Sequence, residues 1–197
     1  MGGSKPASFK GKVGAAVSVV CKANEYSPII GDQSTETARL SYEILKPLSK
    51  HLVIFGGNYF SDFLPPSPCW IVWDKKTGEN NFADVELAWT NFDKHARLYE
   101  WMWNGMARKG DRQSEGRKRI HPTQKPVGLI REILSDFSTD KDIILDPFGG
   151  SGTTLIACEQ LGRKCRMMEL DPHYCDVIIA RWEEFTGRKA VLLNGEE

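Results

Sequence analysis

The residues best equipped for chemistry form one tract, Asp146, Pro147, Phe148, Gly149, Gly150, Ser151, Gly152, Thr153 and Thr154. Closely spaced glycines let a backbone bend tightly and approach a ligand, and the free amides at the start of a following helix favour electron-rich groups. The tract lacks the Gly-Lys-Ser/Thr ending of a phosphate-gripping loop, and Leu155 stands where the last glycine of a dinucleotide fingerprint would fall. Glu169 follows Gly152 by 17 residues, an interval at which a carboxylate at the end of a second strand can accept both hydroxyls of a ribose. Together these features point to an adenosine-containing ligand. The competing use of Glu169 is to cap the following helix together with Asp171.

Upstream stands His121, Pro122, Thr123, Gln124, Lys125 and Pro126. The two prolines stiffen the segment and leave Thr123 and Gln124 free to make side-chain hydrogen bonds. His121 and Lys125 could serve as acid and base, but no residue at helical spacing supplies a partner, so the segment reads as one that positions a ligand.

Positioning these groups requires strands and helices in alternation. Ile143–Leu145 reads as a short apolar strand, Thr153–Leu161 as a helix stopped by Gly162, Cys165–Met168 as a second strand and Pro172–Phe185 as a second helix stopped by Gly187. Such a strand–helix–strand order predicts two parallel strands with a right-handed crossover. Val127–Phe137 reads as a further helix. Earlier in the chain, a helix is expected from Ser34 as its cap, with Ala38, Tyr42 and Leu45 on one face, ending before Pro47. His51–Phe55 and Cys69–Trp73 read as buried strands, and Val85–Trp89 as a third that could run antiparallel. Residues 1–27 are glycine-rich and read mainly as loop, although Ala15–Cys21 could form one short strand.

The 197 residues fit one domain, with a flexible N-terminus at 1–27, a basic and aromatic insert at 91–120 and a ligand-binding part at 121–187. Its 26 basic residues balance 26 acidic ones, so any polyanion surface must come from local asymmetry. That asymmetry lies in the insert. Between Lys94 and Arg119 the positives Lys94, Arg97, Arg108, Lys109, Arg112, Arg117, Lys118 and Arg119 are set against Glu100, Asp111 and Glu115, in a segment that holds the rings of Phe92, Tyr99, Trp101 and Trp103. Basic side chains interleaved with stacking surfaces are what contact with nucleic-acid phosphates and bases needs, while a solvated charged loop is the plainer alternative. Five cysteines without a Cys-x-x-Cys pair indicate neither a disulfide framework nor a metal site. No apolar run reaches membrane-spanning length, and a cytoplasmic protein is expected.

These motifs in this order resemble the permuted DNA amino-methyltransferases, including their phage and restriction–modification members. HPTQKP at His121–Pro126 is similar to the family's cofactor motif preceding DPFGGSGTT at Asp146–Thr154, and Glu169 in MELDPHY to its ribose-binding acid. FGGNYF at Phe55–Phe60, WIVWDK at Trp70–Lys75 and FADVELAWT at Phe82–Thr90 are similar to the strands that follow the family's catalytic motif. The likeness spans roughly residues 28–194. It implies an α/β, Rossmann-like sheet, mostly parallel with an antiparallel strand and helices on both faces. It also implies S-adenosylmethionine as cofactor, double-stranded DNA as partner and methyl transfer to adenine N6 or cytosine N4. Adenine N6 is preferred. The cofactor would be held by His121, Thr123, Gln124, Lys125, Asp146, Phe148, Gly149, Gly150, Ser151, Gly152, Thr153, Thr154 and Glu169.

The family's catalytic tetrapeptide, an Asp, Asn or Ser followed by Pro-Pro and Tyr or Phe, does not occur in these residues. Leu64-Pro65-Pro66-Ser67 has neither the acceptor side chain nor the aromatic ring, and Asp171-Pro172-His173-Tyr174 belongs to the cofactor strand. No catalytic residue is therefore assigned. The tetrapeptide's segment also carries a central strand, whose place is expected to be empty, filled by Ala15–Cys21, or filled by a second subunit or a second copy. A shortened reading frame, a catalytically inactive partner of an active enzyme and a small-molecule methyltransferase are the alternatives.

Overall fold

A computed structural model describes residues 34–77, 83–104, 107–108, 121 and 123–193. The possible strand at Ala15–Cys21 and most of the basic insert lie outside the described residues. Helix α1 spans Glu36–Leu45, with Thr35 in the cap position and Ser34 Oγ accepting from the Glu36 amide at 3.4 Å. Strands β1 (Val53–Phe55), β2 (Trp70–Asp74), β3 (Val85–Thr90) and β4 (Arg97–Glu100) form one sheet in the order β1-β3-β2-β4. As expected for Val85–Trp89, β3 runs antiparallel to both neighbours, pairing Ile54 with Trp89 and Ile71 with Ala88. Strand β4 pairs parallel to β2, Val72 opposite Leu98. A short hairpin of β5 (Trp103–Asn104) and β6 (Ala107–Arg108) follows, then helix α2 (Val127–Phe137), strand β7 (Ile143–Asp146), helix α3 (Thr153–Leu161), strand β8 (Lys164–Met167) and helix α4 (Pro172–Thr186). β7 and β8 pair in parallel across α3, which is the expected crossover unit.

Two readings need correcting. His51–Phe55 is not a buried strand: only Val53–Phe55 pair, and all three are half-buried, because β1 is an edge with a neighbour on one side. The insert opens with an ordered strand, since Leu98 and Tyr99 extend the sheet beside β2 and Tyr99 turns inward. Among the described residues no backbone pairing joins the four-stranded sheet to β7–β8, and Ile143 and Leu145 stand exposed on β7.

Alternation along the strands divides the core in two. Ile71, Trp73 and Ala88 point to the face covered by α2, whose Val127, Leu129, Ile130, Ile133 and Phe137 are buried there. Ile156 and Ala157 of α3 extend the same core, so α2 lies between the sheet and α3. On the other face Trp70 and Trp89 meet Tyr42 of α1 and the rings of Phe60 and Phe63. The sheet is thus covered by a helix on each face. Two polar groups of this core are paired: the Trp73 indole donates to the Trp101 carbonyl at 2.9 Å, and the Tyr99 hydroxyl donates to Asp136 at 2.6 Å. Burial together with that carboxylate pushes the Tyr99 phenol well above its ordinary range.

Candidate functional site

The glycine tract folds as a turn between β7 and α3, fastened to the end of β8. The Met168 amide donates to the Asp146 carbonyl at 3.0 Å and the Gly149 amide to the Met168 carbonyl at 2.9 Å. The Gly150 amide donates to Glu169 Oε2 at 2.7 Å, while Glu169 Oε1 accepts from the Asp171 amide at 2.9 Å. Asp171 caps α4 through the His173 amide at 2.9 Å. Glu169 therefore supports the start of α4, as the capping alternative expects, and in addition ties the turn to the strand end. Each oxygen takes one amide and keeps a lone pair for a ligand.

Gly152 begins α3 in the left-handed region, φ +77°, and a Cβ there would stand 3.2 Å from Ile178. Only glycine meets both conditions without strain. At the start of the turn, Phe148 is 59% exposed.

Asp146 receives the Phe148 amide at 3.0 Å and a hydrogen bond from Thr154. Burial nevertheless pushes its carboxyl above the ordinary carboxylate range. Lys125 lies near enough to interact with it electrostatically. Its Nζ lies 4.7 Å from the centre of the Phe55 ring, and burial draws its ammonium below the ordinary lysine range, with Glu86 and Asp146 opposing that shift.

His121 is buried, its ring 4.4 Å from that of Tyr174 and over the Gly150 backbone. Its Nδ1 accepts from the Thr123 amide at 3.2 Å. Gln124 is buried too, its amide donating to the His121 carbonyl at 3.1 Å, whereas Thr123 is exposed. The Thr153 hydroxyl donates to the Lys125 carbonyl at 3.1 Å, so the two motifs meet although 28 positions separate those residues.

The structure thus brings together His121, Lys125, Asp146, the turn from Phe148 to Thr154, and Glu169. Among the described residues, Lys94 and Arg97 lie apart from that group. The Lys94 ammonium donates to the Asp136 carbonyl at 3.0 Å at the end of α2, and Arg97 is exposed on β4. Arg108 lies on β6; Lys109, Arg112, Arg117, Lys118 and Arg119 are outside the described residues.

Sequence reasoning missed the contribution of α4. Tyr174, Ile178 and Arg181 form one stripe at four- and three-residue spacing, and each touches the motif segments: Tyr174 against His121, Ile178 against Gly152 and Arg181 on Ser151. The spacing was visible; that an arginine would be its buried end was not. Among the described residues there is no cluster of His, Cys, Asp or Glu able to hold a metal, and no helix is long and apolar enough to cross a membrane. A cavity of about 220 Å³ lined by Tyr42, Pro65 and Trp89 lies by α1 and contains none of the motif residues.

A family model for DNA methylases of the N6/N4 type matches residues 32–181. The type II methyltransferase M2.MboI of Moraxella bovis is 31% identical over 131 residues, 66% of this chain and 46% of that protein. The type II methyltransferase M.HinfI of Haemophilus influenzae is 31% identical over 132 residues, 66% of this chain and 35% of that protein. The chain therefore spans less than half the length of either relative. In fold it is similar to the crystal structure of an M1.HpyAVI–SAM complex, with a TM-score of 0.54 and 23% identity over 76% of this chain and 84% of that one.

Proposed function

This chain belongs to the N6/N4 DNA methylase family, and from that premise we propose that it binds S-adenosylmethionine at the turn Phe148–Thr154 and serves methyl transfer to an exocyclic amino group of DNA, adenine N6. The observation that carries the reading is Glu169 held at the strand end with both oxygens directed by backbone amides, beside a turn in which a Cβ at Gly152 would crowd Ile178. Those groups fit an adenosine: the carboxylate retains acceptor capacity for ribose hydroxyls, and the turn lets the ligand approach the backbone. When bound, the cofactor would supply an activated methyl group on a sulfonium.

The chain's own residues orient it. Asp146 and Glu169 fix the two ends of the turn, and His121 closes over Gly150. Burial disfavours the charged form of Lys125, and its carbonyl accepts from the Thr153 hydroxyl of the turn.

The test is incubation of the purified chain with S-adenosylmethionine and mixed-sequence DNA, followed by digestion and mass spectrometry of the nucleosides. N6-methyladenine is the expected product; N4-methylcytosine would change the acceptor but keep the reaction. A second reading is favoured by the sequence, which holds no acceptor-Pro-Pro-aromatic tetrapeptide in its 197 residues. In that reading the chain binds cofactor and supports catalysis by another polypeptide or another segment. Cofactor binding without methylated nucleosides would select it.

For DNA contact we take the basic run Arg117, Lys118 and Arg119, with Lys94, Arg97, Arg108, Lys109 and Arg112 around it. Replacing Arg117, Lys118 and Arg119 by alanine is expected to weaken DNA binding at all sequences alike. The slope of log affinity against log salt should flatten by about 1 for each phosphate that is no longer neutralised. Unchanged affinity at every salt concentration would favour a small-molecule acceptor.

A further inference from the structure

Arg181 reaches the turn from the middle of α4 and is only 7% exposed. Its Nη1 donates to the Ser151 carbonyl at 2.9 Å and lies 3.3 Å from Ser151 Oγ and 3.5 Å from Thr153 Oγ1. Ser151 and Thr153 are themselves buried, and the Thr153 hydroxyl passes the connection on to the Lys125 carbonyl. One guanidinium thereby joins α4, the turn and the segment that carries His121 and Lys125.

Fold stability alone gives little reason to keep a cation there. Burying a charge is unfavourable, and replacing buried ionic groups by apolar ones of similar volume is often neutral or stabilising. What the cation does offer is a rigid fork of donors aimed at a backbone carbonyl of the turn. Holding the Ser151 carbonyl fixes the peptide whose Gly152 amide closes the turn on the Gly149 carbonyl at 2.8 Å, so the turn keeps its shape before a ligand arrives.

We propose that Arg181 is a positioning residue that holds the turn Gly150–Thr153 in its ligand-ready form, through Ser151, and in register with the Lys125 segment, through Thr153. The proposal rests on the turn being the cofactor site.

The test uses the whole chain as wild type, Arg181→Met and Arg181→Lys, with Thr153→Val as a milder variant should the first fail to fold. Three quantities are read: amide hydrogen exchange of residues 150–153, the S-adenosylmethionine dissociation constant by calorimetry, and the melting temperature. In Arg181→Met, exchange at 150–153 should rise at least tenfold while the amides of α2 and β3 keep theirs. The dissociation constant should rise about tenfold. Arg181→Lys, keeping the charge but losing the fork, should recover part of both, and Thr153→Val should raise the dissociation constant severalfold.

Native exchange in the turn and wild-type affinity in the folded variants, whatever their melting temperature, would reduce Arg181 to a packing residue and overturn the proposal. If the wild-type chain itself binds no S-adenosylmethionine, the cofactor reading fails. The exchange data would still decide whether Arg181 holds the turn.

Discussion

Gly128→Ala should destabilise the chain by about 2 kcal/mol net, with the urea midpoint lowered and the slope unchanged. Alanine in a helix interior is ordinarily better than glycine by roughly 1 kcal/mol, so propensity alone predicts the opposite sign. Packing decides it. Helix α2 crosses Trp101 so closely that a Cβ on Gly128 would stand 2.1 and 2.2 Å from the ring atoms Cζ2 and Cη2. Trp101 cannot swing away without loss: it is 5% exposed, its amide donates to the Asp74 carbonyl at 2.9 Å and its carbonyl receives the Trp73 indole. Overpacking of this kind costs about 1–3 kcal/mol and occasionally more, enough to outweigh the helix preference. Because Lys125 and Pro126 lead directly into α2, the strain would also reach the motif segment. A variant more stable than wild type would mean that α2 and Trp101 separate freely.

Glu169→Gln should weaken S-adenosylmethionine binding by about tenfold to a hundredfold, roughly 1.5–3 kcal/mol, and Glu169→Asp by a similar factor. The carboxylate accepts from the Gly150 and Asp171 amides on separate oxygens. A glutamine offers one acceptor oxygen and turns an N–H toward the other amide, leaving a donor facing a donor. Aspartate keeps both acceptors but is one methylene short of both amides. Calorimetric titration with the cofactor measures the loss, and circular dichroism establishes that the variants are folded. Equal affinity in all three proteins would reduce Glu169 to a helix-start support and remove the observation on which the cofactor site rests.

The local elements of the C-terminal part were legible because each has a short-range cause. Gly162 and Gly187 end their helices in left-handed conformations, φ +64° and +69°, and Asp171 with Pro172 opens α4. The antiparallel run of β3 was legible as an option, since β2 and β3 are close in sequence and separated by turn-forming residues. Less legible was anything set by pairing across distance. β1 reads as a buried strand by its apolar run, yet its burial depends on how many neighbours the sheet gives it. β4 carries Arg97, Tyr99 and Glu100, a composition that reads as insert, and becomes a strand because β2 offers it an edge.

The site shows the same division. Its turn and its acid could be found from spacing, because both sit at ends of neighbouring elements. Arg181 could not, because its partners are a carbonyl and hydroxyls 28 and 30 positions away. The lysine at 125 was legible as part of a motif, but the downward shift of its ammonium arises from burial, which only the folded chain supplies.

The connection from Arg181 through Ser151 and Thr153 to Lys125 is made with neutral oxygens inside the protein. Mobile counterions screen charges that face water and hardly reach such a contact, with a Debye length near 8 Å at physiological ionic strength. The contacts proposed for the basic run would instead be made with phosphates in open solvent. Ionic strength is then a lever that acts on one half of the molecule's work and not on the other. On the proposed function, added salt would strip the polyanion while the turn kept its shape, and the chain would release DNA without loosening its hold on the cofactor.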